Sequence, residues 1–168
     1  MSGGTTLVDP SLDLCNGTFA SEKERVERRQ VVATKPESGF TLLSTETVRY
    51  SSPAAAQSAQ RELLKVMNQC MIDKGYTDSG AAVVPYTFAQ IKSLPLGLVA
   101  DSSRVLVRAQ IDSGVRARQL LGFYQFNGAM FTGLYVMTAS ETPFTDAQVE
   151  TWLNVAVTMA TRLGGKSG

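Results

Sequence analysis

The stretch from Arg104 to Met137 limits the possible folds more than any other part of the chain. Three runs of strand-forming residues lie end to end in it, over Arg104 to Ile111, Ala117 to Phe126 and Ala129 to Met137. Asp112-Ser113-Gly114 and Asn127-Gly128 separate them. β-Branched and aromatic residues suit a pleated, half-buried surface. Asn-Gly between two such runs signals a two-residue type I′ hairpin. A turn of that length fixes the register of its strands, because a slip of one residue would reverse every side chain. Centred on Asn127-Gly128, it sets Phe126 opposite Ala129, Tyr124 opposite Phe131, Gly122 opposite Gly133, Leu120 opposite Tyr135 and Arg118 opposite Met137. The other face carries Gln119, Leu121, Phe123 and Gln125 with Met130, Thr132, Leu134 and Val136. An antiparallel meander with two substantially apolar faces is therefore the centre of the fold.

The rest of the chain supplies covers and edges for it. Ser21-Glu22-Lys23-Glu24 fits a capping box and predicts a short charged helix to about Arg28. Strands follow over Arg29 to Thr34 and Phe40 to Tyr50. Ser52-Pro53 starts a long helix. Ala56, Ala59, Leu63, Val66, Met67 and Cys70 recur on it at three- and four-residue steps, and Gly75 ends it. Pro85 within Ala82 to Phe88 predicts an edge strand or a strand end. Thr145-Asp146-Ala147-Gln148 is a second capping box. It introduces a helix with the stripe Val149, Trp152, Leu153, Ala156, Met159, Ala160 and Leu163, stopped at Gly164-Gly165. This order predicts an α+β domain with an antiparallel sheet of about five to six strands. Two long helices cover it on one face, and a short N-terminal helix is added. Residues 1–11 read as an extended or disordered lead-in, 12–164 as a single domain and 165–168 as a tail. A length of 168 residues with 43% hydrophobic content suffices for one core.

Charge and histidine content narrow the function. Sixteen basic and fifteen acidic residues leave a net charge of +1, which gives no broad attraction to nucleic acid or an anionic membrane. Histidine is absent. That removes Ser–His and Cys–His catalysis, and two cysteines alone cannot close a zinc site. No P-loop, GxGxxG or GxSxG pattern occurs in the right context. The chain is expected to be non-catalytic, with no cofactor and no metal.

Candidate binding residues lie on the central hairpin. Facing glycines at 122 and 133 would leave a shallow dent among aromatic side chains, open to a flat ligand or another backbone. Alternatively, a helix crosses at the glycines and the aromatics are plain core. The apolar loop Ser93 to Ala100 either rims the same cavity or packs under a helix. The candidate ligand site is thus Leu96, Leu98, Arg118, Leu120, Gly122, Tyr124, Phe131, Gly133 and Tyr135. Arg104, Arg108, Arg116 and Arg118 either gather around an anion or serve as solvated strand residues. The run Glu22 to Arg29 reads as a salt-bridged helix face.

Cys15 and Cys70 either stay free thiols in a cytosolic protein or pair as a disulfide. Paired, they close a loop of about 56 residues, a constraint of roughly 4 kcal/mol. The bridge would tie the polar segment around Cys15 to the end of the long helix and imply export. No signal peptide or transmembrane run is visible, and Met1 to Thr6 reads as a linker or tag remnant. Any targeting segment is then taken to have been removed.

The run Val48-Arg49-Tyr50-Ser51-Ser52-Pro53-Ala54-Ala55-Ala56, followed by a helix ending in Cys70, resembles actinobacterial cell-envelope lipoproteins. It also resembles the extracytoplasmic sensor domains of mycobacterial Ser/Thr kinases. The segment Leu12-Asp13-Leu14-Cys15-Asn16-Gly17-Thr18-Phe19 is similar to exported actinobacterial proteins. The resemblance implies an extracytoplasmic domain, secreted or associated with the cell envelope, with a cleft for a small or lipidic ligand. The chain departs from it in two ways: the sensor domains have two disulfides where two cysteines allow one, and Cys15 lacks the apolar run of a lipid-attachment site. Two functions follow as expectations. One is a sensor-like ligand-binding domain; the other is an interaction or scaffold domain that docks an envelope protein or a second copy through an exposed apolar sheet face.

Overall fold

The computed structural model describes residues 2–4, 7–12, 14, 17–35, 40–69, 86–91 and 104–164. Cys15, Cys70, Leu96 and Leu98 lie outside the described residues, and so do the expected disulfide and the apolar loop. The strands are β1 (Ser2–Gly4), β2 (Arg25–Lys35), β3 (Phe40–Tyr50), β4 (Tyr86–Gln90), β5 (Arg104–Ile111), β6 (Arg118–Asn127) and β7 (Met130–Ala139). The helices are α1 (Pro53–Gln69) and α2 (Asp146–Gly164). All strand pairs are antiparallel, in the order β1-β2-β3-β7-β6-β5-β4. Five strands of eight or more residues form the body, and the short β1 and β4 close its two edges. β4, the strand that follows Pro85, is one of those edges, as a proline at its start requires.

The two helices do not share a face. Val48, Tyr50, Val105, Val107, Tyr124, Phe126 and Phe131 pack with Ala56, Ala59, Leu63 and Met67 of α1 and with Leu12, Leu14 and Phe19. The intervening residues Leu106, Leu121, Phe123, Leu134 and Val136 point the other way. They pack with Phe144, Val149, Leu153 and Ala156 on the α2 side. Strand alternation makes both faces apolar, and each buried large side chain contributes about 1.5–3 kcal/mol. Neither face can be left to water, so each takes one helix.

The expected N-terminal helix is replaced by a 3₁₀ turn over Ala20–Glu24, after which the chain is already strand. Ser21 is not an N-cap here, since the turn has no side-chain cap. Its N–H and hydroxyl both donate to Glu62 Oε2 on α1, at 3.0 and 2.8 Å. β2 then takes up an extra residue at Val26, because Arg25 pairs with Tyr50 while Glu27 pairs with Arg49. This bulge lets Arg25 and Arg28, three apart in sequence, both turn inward on the α1 side. The run Glu22 to Arg29 is therefore the end of a 3₁₀ turn and the start of a strand with two buried arginines, not a solvated helix face.

The β6–β7 hairpin also differs from expectation by one turn position. Asn127 pairs with Met130, so Gly128 and Ala129 form the loop. Gly128 has φ +55°, while Asn127 and Ala129 stay at negative φ. Positive φ at the first loop position alone is the type II′ pattern. Every pair shifts by two residues, which preserves the faces but changes the partners.

Candidate functional site

That shift removes the dent expected between facing glycines. Gly122 lies opposite Tyr135, and Gly133 opposite Tyr124. Each glycine is instead covered by the tyrosine two residues along its own strand. A Cβ on Gly133 would meet Tyr135 Oη at 2.7 Å and its ring carbons at 2.9 Å. One on Gly122 would meet Val107 at 2.8 Å and Tyr124 Cε2 at 3.0 Å. The two glycines are relief into which rings settle, and Tyr124 stacks edge-on to Tyr135 at 5.4 Å and flat on Phe131 at 6.1 Å. Gly122, Tyr124, Phe131 and Gly133 are buried, whereas Arg118, Leu120 and Tyr135 are half-buried.

The arginines do not converge. Arg104 and Arg108 stand on the α2 side of β5, flanking Leu106, and Arg108 reaches Asp146 at 3.4 Å. Arg116 pairs with Asp112 at 3.0 Å. Arg118 donates to the carbonyl of Arg116 and lies on the opposite face from Arg104. No common anion site results.

What the structure does build on the α2 side is a groove. α2 packs mainly on β6 and β7, and Thr47 of β3 lies beside its C-terminal half. Thr47 of β3 faces Asn154, Val155, Thr158, Met159, Arg162 and Leu163 across an open space of about 620 Å³. That is within the size range of small-ligand sites. The lining is mainly apolar because Thr158 satisfies its hydroxyl on the helix's own Asn154 carbonyl at 2.8 Å. Val155 is 44% exposed. Arg162, in the last turn, has no ion pair among the described residues. Sequence reasoning assigned Met159 and Leu163 to the core stripe of α2 and passed over Asn154, Val155, Thr158 and Arg162, which lie beside it. The available signal was Val155, an aliphatic residue off that stripe.

A second unusual region lies on the α1 side beneath residues 7–12. Arg25 Nη1 and Nη2 donate to the carbonyls of Asp9 and Leu7, at 2.8 and 2.7 Å, and to Ser11 Oγ at 2.7 Å. The Glu22 carboxylate accepts the amides of Ser11 and Leu12, at 2.7 and 3.2 Å. Deeper in, Arg28 and Glu46 form an ion pair at 2.6 Å with both side chains buried. Arg28 extends to Gln30, whose amide donates to Ser44. Burial pushes both Glu22 and Glu46 above the ordinary carboxylate range, outweighing the pull of the Ser11 amide on Glu22 and of Arg28 on Glu46. Burial likewise raises the Tyr50 phenol, whose hydroxyl has no hydrogen-bond partner among the described residues. In the sequence these charges were invisible as a buried cluster, since only the bulge at Val26 brings them to one side.

No helix among the described residues is long and apolar enough to cross a membrane. No family model matches the chain, and no curated protein matches it. Among solved structures it is similar to the extracellular domain of PknH from Mycobacterium tuberculosis, with a TM-score of 0.57 and 10% sequence identity. The match covers 84% of this chain and 70% of that one. At that identity the likeness is one of fold: an α+β domain with an antiparallel sheet and two helices.

Proposed function

We propose that this chain is a non-catalytic, sensor-like extracytoplasmic domain that binds a small lipidic ligand in the groove between α2 and β3. The observation that carries the reading is the groove itself: about 620 Å³, with an apolar wall of Val155, Met159 and Leu163 and the cation of Arg162 at its rim. An apolar wall ending in a cation with no ion pair among the described residues matches an acyl chain with an anionic head. The fold shared with an extracellular kinase domain supports the sensor-like and extracytoplasmic part.

Titration with a fluorescent long-chain fatty acid tests this. Wild-type protein is expected to bind it saturably. Val155→Arg, a change at an exposed position, should abolish binding with an unaltered circular dichroism spectrum, and Arg162→Gln should weaken it by about tenfold, the scale of one lost charge-assisted bond. Equal binding by wild type and Val155→Arg would overturn the groove. A saturating symmetric dimer in native mass spectrometry, with no probe uptake, would favour the interaction domain instead.

A further inference from the structure

The groove has a second bank on the sheet, and that bank is basic. Thr47, which lines the groove from β3, pairs across the strands with Arg29 of β2, and Arg49 follows two residues along β3. Residues directly opposite, and residues two apart on one strand, share a face of the sheet. Arg29 and Arg49 therefore stand on the same side as the groove, with side chains 72% and 53% exposed. They share a single carboxylate: Glu27 lies 3.0 Å from Arg29 and 3.5 Å from Arg49. Arg162 adds a third guanidinium from α2, with no ion pair among the described residues. Three cations against one carboxylate leave two positive charges in excess beside the apolar wall. The whole chain carries only +1, so this concentration of charge is local to the groove.

Resting on the reading of the groove as a lipid site, we propose that the head it takes is a phosphate monoester on a single acyl chain, of the lysophosphatidate type, rather than a carboxylate. A carboxylate brings one charge and two acceptor oxygens, which Arg162 alone can meet. A phosphate monoester brings about −1.5 to −2 charges at pH 7 and three strong acceptor oxygens. That matches the excess on the rim, and guanidinium groups take phosphate oxygens in pairs. A chain lying along Val155, Met159 and Leu163 sets its head between Arg162 and Thr47, beside Arg29. Glu27 opposes the head, since it cancels one of the charges that attract it.

Displacement of the fluorescent fatty acid by three competitors tests this: lysophosphatidate as monomers, a fatty acid of equal chain length, and glycerol 3-phosphate, which has the head without the chain. At low ionic strength and neutral pH the wild type should bind lysophosphatidate about tenfold more tightly than the fatty acid, the scale of one further charge-assisted bond. Salt should shrink that margin, because the rim is exposed. Arg29→Gln and Arg49→Gln should each weaken lysophosphatidate more than the fatty acid. Glu27→Gln should strengthen lysophosphatidate, a gain that a merely structural role for Glu27 does not produce. Equal affinity of the wild type for the two lipids, or a margin that survives the double change of Arg29 and Arg49, would overturn the phosphate head while leaving the groove in place. Displacement by glycerol 3-phosphate as strong as by lysophosphatidate would overturn the lipid phosphate in favour of a free one. A wild type that takes up neither lipid would overturn the groove and the head together.

Discussion

At the scale of single residues, buried polar groups decide more than the apolar ones. Tyr50 is 1% exposed, and its ring is needed against α1, yet its hydroxyl is buried without a partner among the described residues. An unsatisfied buried donor costs about 1–3 kcal/mol, while removing it leaves the packing unchanged. Tyr50→Phe is therefore expected to stabilise the protein by on the order of 1 kcal/mol, seen as a higher urea midpoint at constant slope. A loss of stability would mean that the hydroxyl has a partner in solution. Arg28 and Glu46 behave in the opposite way. Each is at most 3% exposed and satisfies the other, so truncating either one strands a charge.

At the scale of elements, two sequence signals of the same form had different fates. Thr145 and Gln148 close their capping box reciprocally: Thr145 Oγ1 accepts the Gln148 amide at 3.3 Å, and Gln148 Oε1 accepts the Thr145 amide at 2.8 Å. Ser21 and Glu24 have the same spacing but form no cap, because no helical apolar stripe follows them and Arg25 and Arg28 turn inward from a strand instead. A cap decides where a helix starts only if a packing face makes a helix worthwhile. Thr145→Ala should thus cost about 1 kcal/mol, a fall of about 2–4 °C in the thermal midpoint for a chain of this size. No measurable fall would show that the box is formed but idle. The same logic separates what was legible from what was not. β3, β5 and both long helices could be read from period and caps, since the alternation or stripe there is unbroken over eight residues or more. The strap of residues 7–12, the bulge at Val26 and the turn at Gly128-Ala129 could not, because each depends on a one-residue choice that periodicity does not record. The groove escaped for another reason: it arises from where α2 stops covering the sheet, which no local pattern encodes.

At the scale of the whole molecule, the sheet is a partition shared by two cores. Leu106 packs toward α2, while its neighbours Val105 and Val107 pack toward α1. Phe123 and Tyr124 divide the same way. β5, β6 and β7 therefore belong to both cores at once, and losing either helix exposes one side of strands that the other core requires. The two halves should melt as one unit. Trp152, the one tryptophan, packs on the α2 side, whereas Leu63 is fully buried under α1 on the far side of the sheet. Leu63→Ala should cost about 2–5 kcal/mol through the cavity it leaves. That loss should lower the urea midpoint reported by Trp152 fluorescence by as much as the midpoint reported by far-ultraviolet circular dichroism. If the Trp152 midpoint stays in place while dichroism falls first, α1 and its core open separately from α2. A ligand in the α2 groove would then leave the stability of the α1 core unchanged. If the midpoints move together, the two cores form one cooperative unit, and a ligand in the α2 groove stabilises both of them.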